Sequence, residues 1–263
     1  MNALNFFLDI DGTIVSEGTN EVLPSVIDAV KKAKPYGHRF FINTARPQWL
    51  VPDTVFSPEV FDGILCGCGS FIKYRGDTVY QSFISDAELK ALYKEIEGYG
   101  IPGYSSIIES FGTTYYHGDE RPKYSVIGYK KLGKADDIGE KVKDIRAQKF
   151  SLYKKAEELP SALLSSLKEK YNVMEHPTYV EIAQKGFSKA AAIRLIEQKL
   201  SIPHESTVAM GDSSNDIEML KYAAVSVAMG NATDKVKASA TTVTDTCENG
   251  GVAKAIMKLT GIK

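Results

Sequence analysis

Residues 6–8, Phe-Phe-Leu, form an unbroken apolar run that ends on Asp9-Ile10-Asp11-Gly12-Thr13. A run that is apolar on both alternating faces is the pattern of a strand buried on both sides. Such strands belong to parallel sheets covered by helices. An ionised carboxylate at the end of a buried strand is costly unless it is paired or metal-bound. Two of them, two residues apart, point to a cation, a proton or a reaction at that place.

The rest of the chain repeats the strand-then-helix rhythm at both ends. "LPSVIDAVKKAKPYG" predicts a helix, with Pro24 near its start, Val26, Ile27 and Val30 on one side and Gly37 at its end. "HRFFINTARP" predicts the next strand, closed by Pro47, and "FDGILCGCGSFIKY" predicts a strand region broken by glycines. From Phe187 onward the same rhythm returns: "SKAAAIRLIEQKLSI", "DIEMLKYA", "ATDKVKASA" and "GGVAKAIMKL" as helices, "STVAMGD", "AVSVAMG" and "TTVTD" as strands. Between them the texture changes. Helices "DAELKALYKEIEGYG" and "EELPSALLSSLKEKY" lie among alternating strands "TTYYHG", "KYSVIGYKK", "KFSLYKK" and "TYVEIAQ", and ten of the fourteen tyrosines fall here. That pattern predicts a separate α+β unit with one half-exposed sheet. The simplest architecture is one α/β domain, doubly wound around a mostly parallel sheet, over residues 1–83 and 187–263. An inserted α+β domain occupies residues 84–186.

Net charge and cysteine usage narrow the function classes. A formal net charge of −1 provides no basic field for nucleic acid or an anionic membrane. No apolar run approaches a membrane span of about 20 residues, and the N-terminus has no signal-peptide pattern. Three cysteines, Cys66, Cys68 and Cys247, have no framework spacing. They read as thiols of a reducing, cytoplasmic compartment rather than as disulfides or a zinc site.

Ligands of an open parallel sheet sit outside the carboxyl ends of its strands. Four polar clusters fall at such ends or at the start of the following helix. The first is Asp9-Ile10-Asp11-Gly12-Thr13; its alternative is a plain Asx-turn, since Asp-Gly is a common turn pair. The second is Thr44-Ala45-Arg46-Pro47, where a hydroxyl and free backbone N–H groups suit a phosphate oxygen. The third is Lys189 in "KGFSKAAAI". Ser188 reads as an N-cap, which places Lys189 in the first helical turn, where a cation opposes the helix dipole unless an anion is near. The fourth is Gly211-Asp212-Ser213-Ser214-Asn215-Asp216. Two aspartates four apart suit an oxygen-ligated metal such as Mg²⁺, the alternative being an N-cap network by Asn215 or Asp216. Singly each cluster has a structural explanation; four in this order are hard to explain as caps.

With these motifs the chain resembles a haloacid-dehalogenase-superfamily phosphohydrolase of the Cof type, with an α/β cap of the C2 (type IIB) kind between the second and third motifs. The trailing "VAMGNATDKVKASATTVT" is also similar. Two departures stand out: Ala45 replaces the family's usual Gly, and Cys68-Gly69 stands where Asn-Gly is frequent.

The resemblance implies specific roles. Asp9 would be the nucleophile that forms an aspartyl-phosphate, and Asp11 the acid–base group. Mg²⁺ would be held by the Asp9 side chain, the Asp11 carbonyl oxygen and Asp212. Thr44, Ala45, Lys189 and Asn215 would bind the phosphoryl oxygens, and Asp216 would support Lys189 or a metal-bound water. The inserted unit would close over a small phosphorylated substrate of the sugar-phosphate kind, with the protein monomeric. Its tyrosines suit a sugar ring, and His117 is a candidate substrate contact. Two other functions fit parts of the pattern. A sugar phosphomutase uses the same aspartyl-phosphate. A phosphoacceptor switch also combines aspartates, Thr and Lys, but places its phosphoacceptor after a later strand and lacks a large insertion.

Overall fold

The computed structural model describes residues 3–16, 18–110, 113–118, 129–140 and 142–262. The chain divides into two compact units. The first comprises Met1–Arg46, Val51–Gln81 and Ser188–Lys263; the second comprises Pro47–Leu50 and Ser82–Phe187. Residues 47–50, which the sequence pattern groups with the first unit, thus belong to the second.

The first unit opens with β1 (Asn5–Leu8), α1 (Pro24–Ala33), β2 (Arg39–Asn43), β3 (Gly63–Cys66), β4 (Phe71–Tyr74) and β5 (Asp77–Gln81). The second holds α2 (Asp86–Gly98), β6 (Ser105–Ser110), β7 (Thr113–His117), β8 (Tyr129–Lys131), a single turn α3 (Asp137–Glu140), β9 (Ala147–Tyr153), α4 (Ser161–Lys170), β10 (Tyr171–Glu175) and β11 (Val180–Gln184). The chain returns to the first unit with α5 (Lys189–Leu200), β12 (Thr207–Gly211), α6 (Ile217–Tyr222), β13 (Val225–Ala228), α7 (Asp234–Lys237), β14 (Thr242–Val243) and α8 (Gly251–Thr260).

The first unit's sheet has eight strands in the order β14-β13-β12-β1-β2-β3-β4-β5. Strands β14 through β3 run parallel; β4 and β5 are antiparallel additions. The fold is therefore α/β with a mostly parallel sheet, as the β1 apolar run requires. Alternation along β1 explains the layers. Phe6 and Leu8 join Val26 and Val30 of α1 and Val252 and Ile256 of α8 on one face. Phe7 joins Ile193 and Ile196 of α5 and Met219 and Leu220 of α6 on the other. All of these side chains are at most 1% exposed, and burial of each stabilises by roughly 1.5–3 kcal/mol. The pairing Phe6↔Phe40 and Phe7↔Phe41 stacks two cross-strand ring pairs at 4.8 and 5.0 Å.

The glycine-broken region consists of two antiparallel strands, β3 and β4. Gly67, Cys68 and Gly69 take φ values of +54, +55 and +96 in succession and so reverse the chain within three residues.

In the second unit, the described residues form a six-stranded sheet, β10-β11-β9-β6-β7-β8, antiparallel except for β7 with β8. Leu89, Leu92, Tyr93 and Ile96 of α2 and Leu163 and Leu167 of α4 pack against Ile108, Phe150, Leu152, Val180 and Ile182 on one face of this sheet. Of the strand expected at "KYSVIGYKK", only Tyr129–Lys131 falls within the described residues; the rest lies outside them. Among the described residues, no helix is long and apolar enough to cross a membrane.

Candidate active site

Three neighbouring parallel strands deliver the first unit's polar residues side by side. Leu8 pairs with Met210 on one side and Ile42 on the other. The next residues along β1, β12 and β2 therefore leave the sheet together, and Asp9, Asp212 and Thr44 stand just beyond their carboxyl ends. The Asp9 N–H extends the ladder to Met210 O at 3.0 Å. The Thr44 N–H reaches Leu65 O at 2.8 Å, and its buried hydroxyl accepts the Arg46 N–H at 3.1 Å. Ala45 follows, half-buried.

Lys189 approaches from the helix side. Ser188 is the N-cap of α5, its Oγ accepting the Ala191 N–H at 3.1 Å. Asn43, at the end of β2, donates to the Lys189 carbonyl at 2.9 Å and ties the helix start to the sheet. The Lys189 side chain is 1% exposed. Its Nζ lies 2.6 Å from Asp9 Oδ1, 2.5 Å from Asp216 Oδ1 and 3.1 Å from Asn215 Oδ1. An ammonium has three donors, and all three are engaged here. Burial alone would push Lys189 down, but Asp216 and Asp9 outweigh it and hold the group charged, above its ordinary value. This is the anionic environment that a cation in the first turn of a helix requires.

Asp216 is fully buried and serves three neighbours. Its Oδ1 receives Lys189, and its Oδ2 receives the Asp212 and Ser213 N–H groups at 3.0 and 2.9 Å. The N-cap network, which the sequence set against metal binding, and the contact to Lys189 are therefore both carried by the same carboxylate.

Asp9, Asp212 and Asp216 each offer a carboxylate oxygen within 4.8 Å of the others. With both Asp216 oxygens committed, Asp9 and Asp212 are the pair open to a metal. Burial, then the charge of Asp216, pushes Asp9 up to about 7 against the pull of Lys189. The same two causes raise Asp212 to about 6. Crowded carboxylates held above their ordinary range, all hard oxygen donors, fit a divalent cation of the Mg²⁺ type, which relieves that repulsion. Space for Asp212 comes from Gly12, at φ +70, where a Cβ would overlap the Asp212 carboxylate. Gly12→Ala is expected to cost at least about 1–2 kcal/mol from the left-handed backbone alone and to displace Asp212. A lowered melting temperature together with lost activity would register both; full activity would mean that Asp212 does not need this space.

Asp11 lies apart from this carboxylate group. Its exposed carboxylate is gripped by the Arg46 guanidinium, with Nε at 2.9 Å from Oδ2 and Nη2 on Oδ1. Arg46 Nη1 also donates to Asn20 Oδ1 at 3.0 Å. Sequence reasoning assigned Arg46 no role, though it stands inside the second motif. Asn231 was missed in the same way, inside the quoted "VAMGNATD". Its Nδ2 donates to Gly12 O at 2.9 Å, and its Oδ1 accepts the Cys247 N–H at 2.9 Å. The Cys247 thiol donates to Thr13 O at 3.1 Å. These residues brace the Asp11–Thr13 loop from a segment that no charge pattern marks.

His117 belongs to the second unit's packing. Its ring stacks on Tyr104 at 5.1 Å and meets Tyr93 edge-on, with Nδ1 3.2 Å from Leu132 O.

A parallel sheet whose strand ends gather aspartates and a hydroxyl around a fully engaged lysine defines a class. The chain belongs to the haloacid dehalogenase-like hydrolases, whose family model matches residues 6–256. Within that family it is a phosphatase. A Bacillus subtilis relative named 5-amino-6-(5-phospho-D-ribitylamino)uracil phosphatase is 26% identical over 262 residues, 94% of each chain. A second B. subtilis protein of the same name is 51% identical over 80 residues, 30% of this chain and 32% of its own. Among solved structures, a sugar phosphatase of haloacid dehalogenase subclass IIB superposes with a TM-score of 0.81 at 27% identity, covering 99% of this chain and 100% of that one.

Proposed function

We propose that the protein is a Mg²⁺-dependent phosphomonoesterase acting on small phosphorylated sugars or polyols through an aspartyl-phosphate on Asp9. The observation that carries this reading is the buried contact of Lys189 Nζ with Asp9 Oδ1, 2.6 Å long and 1% exposed on the lysine side. A lysine so placed holds a carboxylate in one orientation and supplies positive charge where phosphoryl oxygens would sit.

The Asp9 carboxylate attacks phosphorus as the bond from phosphorus to the leaving alkoxide oxygen breaks, and Asp11 gives that oxygen a proton. Water then attacks the phosphorus of the aspartyl-phosphate. Asp11 takes the water's proton, inorganic phosphate departs, and Asp9 is restored. General acid–base help of this kind contributes roughly 10²–10⁴-fold. Lys189, Thr44, Asn215 and the backbone at Ala45 hold the transferring oxygens, while Asp216 positions Lys189. A Mg²⁺ ion would be held by the Asp9 and Asp212 carboxylates and the Asp11 carbonyl oxygen, and would supply positive charge that offsets the repulsion of two anions. Two relatives support a polyhydroxylated leaving group: one name specifies phosphate on a ribityl chain, the other a sugar phosphatase.

Phosphate release from a panel of sugar and alditol phosphates and an aryl phosphate tests the reading, with Mg²⁺ and with chelator. Turnover is expected only with Mg²⁺. Mg²⁺ at 100 times its dissociation constant is also expected to stabilise the first unit by about 2.7 kcal/mol, an effect that Asp212→Asn removes. Isomerised sugar phosphate without free phosphate would replace the hydrolase by a mutase, and no turnover of any substrate would end the phosphomonoesterase reading.

A further inference from the structure

Strand β2 reads Arg39-Phe40-Phe41-Ile42-Asn43, and its last four residues are buried. Alternation along the strand puts Asn43 on the same face as Phe41. That face is apolar: Phe41 and Leu65 pack there with Ile193 of α5 and Met219 of α6. Leu65 is also the register partner of Asn43 on β3. Pattern and burial therefore call for an aliphatic side chain at residue 43. A primary amide stands there instead, 0% exposed.

The amide is only half satisfied. Its Nδ2 donates to the Lys189 carbonyl at 2.9 Å and lies 3.5 Å from Met219 Sδ. Its Oδ1 is buried and has no hydrogen-bond partner. Turning the amide over would set two acceptors against each other, so the Lys189 carbonyl fixes its orientation. Buried side-chain oxygens in this state are rare in native folds, and each calls for an explanation. An aliphatic side chain would leave no such orphan. What the amide alone provides is the bond to the Lys189 backbone.

That bond joins two segments that meet at the candidate site. Asn43 immediately precedes Thr44, whose N–H is fixed on Leu65 O at 2.8 Å. Lys189 is the first residue of α5, entered through the Ser188 cap. From this backbone the side chain must bring Nζ to Asp9, Asn215 and Asp216 at once. A slip of the helix start along the strand ends would change all three distances. It would also change the separation of Lys189 from Thr44. Among the described residues, Asn43 bonds none of Asp9, Asp11 and Asp212, the groups open to a metal.

We propose that Asn43 is a positioning residue for phosphoryl transfer, an assignment that rests on the phosphatase reading above. Its amide holds the Lys189 backbone in register with Thr44, so that ammonium and hydroxyl grip the same phosphoryl group. Asn43 itself touches no reacting atom. It acts on the phosphoryl grip and not on the metal.

Asn43→Leu, which fills the buried volume without the bond, tests this in the full chain. The kcat/KM is expected to fall about 10- to 100-fold, the effect of displacing a reacting group by about 1 Å. The loss is equal for a sugar phosphate and an aryl phosphate, because both present the same phosphoryl group. Binding of orthovanadate, a mimic of the phosphoryl group in transfer, weakens by the same factor in calorimetry. The Mg²⁺ concentration that half-saturates the rise in melting temperature stays within about twofold of wild type. Unchanged kcat/KM and vanadate affinity would overturn the proposal. So would a Mg²⁺ midpoint that moves as far as the vanadate affinity, because that marks a general loosening of the site. Should the leucine variant not fold, Asn43→Ser is held to the same three results. A wild-type chain that releases no phosphate fails before any variant is compared. That outcome overturns the phosphatase reading, and this proposal with it.

Discussion

Asp9→Asn is expected to abolish phosphate release, by at least about 10⁴-fold, without weakening the fold. Asparagine keeps the size of the side chain and an oxygen for Lys189, but its neutral amide does not attack phosphorus to form the acyl phosphate. Stability follows from the linkage sign. Burial raises Asp9 to about 7 in the metal-free chain, above its unfolded value of 3.8. A raised folded value means that ionised Asp9 disfavours the fold, fully so above about pH 7, with relief as pH falls toward 4. The metal-free variant is therefore expected to melt no lower than wild type at pH 8. Phosphate assay and thermal melts on the same preparations check both halves. Activity retained within tenfold of wild type would assign the phosphoryl transfer to another group.

Lys189→Met is expected to fail in both respects. It leaves Asp9 and Asp216, 4% and 0% exposed, facing each other without a counter-ion. Breaking a buried pair from one side costs about 3–5 kcal/mol, or roughly 6–20 °C in the melting of a unit this size. Activity should fall at least about 10³-fold with the charge that faces the phosphoryl oxygens. Lys189→Arg is not expected to rescue it, since a planar fork does not match three acceptors gathered around one compact ammonium. The contrast with Asp9→Asn is informative: equal melting temperatures for the two variants above pH 8 would mean that Lys189 does not carry the electrostatics of the site.

The first unit was legible because its strands carry strong signals. Phe6 to Leu8 is apolar on both faces, and three of the four polar clusters follow closely on such runs. The second unit was less so. β6 is "SSIIES", with only two apolar residues, and β10 is half-exposed along nearly its whole length. Neither pattern stands out from a loop, because their register is set by the neighbours β9 and β11. In the candidate site, Asp9, Thr44, Lys189, Asp212 and Asp216 stood out as polar residues at strand ends or helix starts. Arg46, Asn20 and Asn231 were assigned no role, because their roles depend on which loop lies beside which, and that is a property of the closed sheet.

The position of β1 bears on how the chain is made. It is paired on one side by β2, which emerges from the ribosome soon after it, and on the other by β12, which emerges only after the whole second unit. Until then β1 is an open edge, with Phe6, Phe7 and Leu8 offering unpaired backbone to any passing strand. Translation at about 5–20 residues per second keeps it so for several seconds or more. The nascent chain thus carries its most adhesive strand unprotected while the inserted unit is being built, and chaperone demand should peak in that interval.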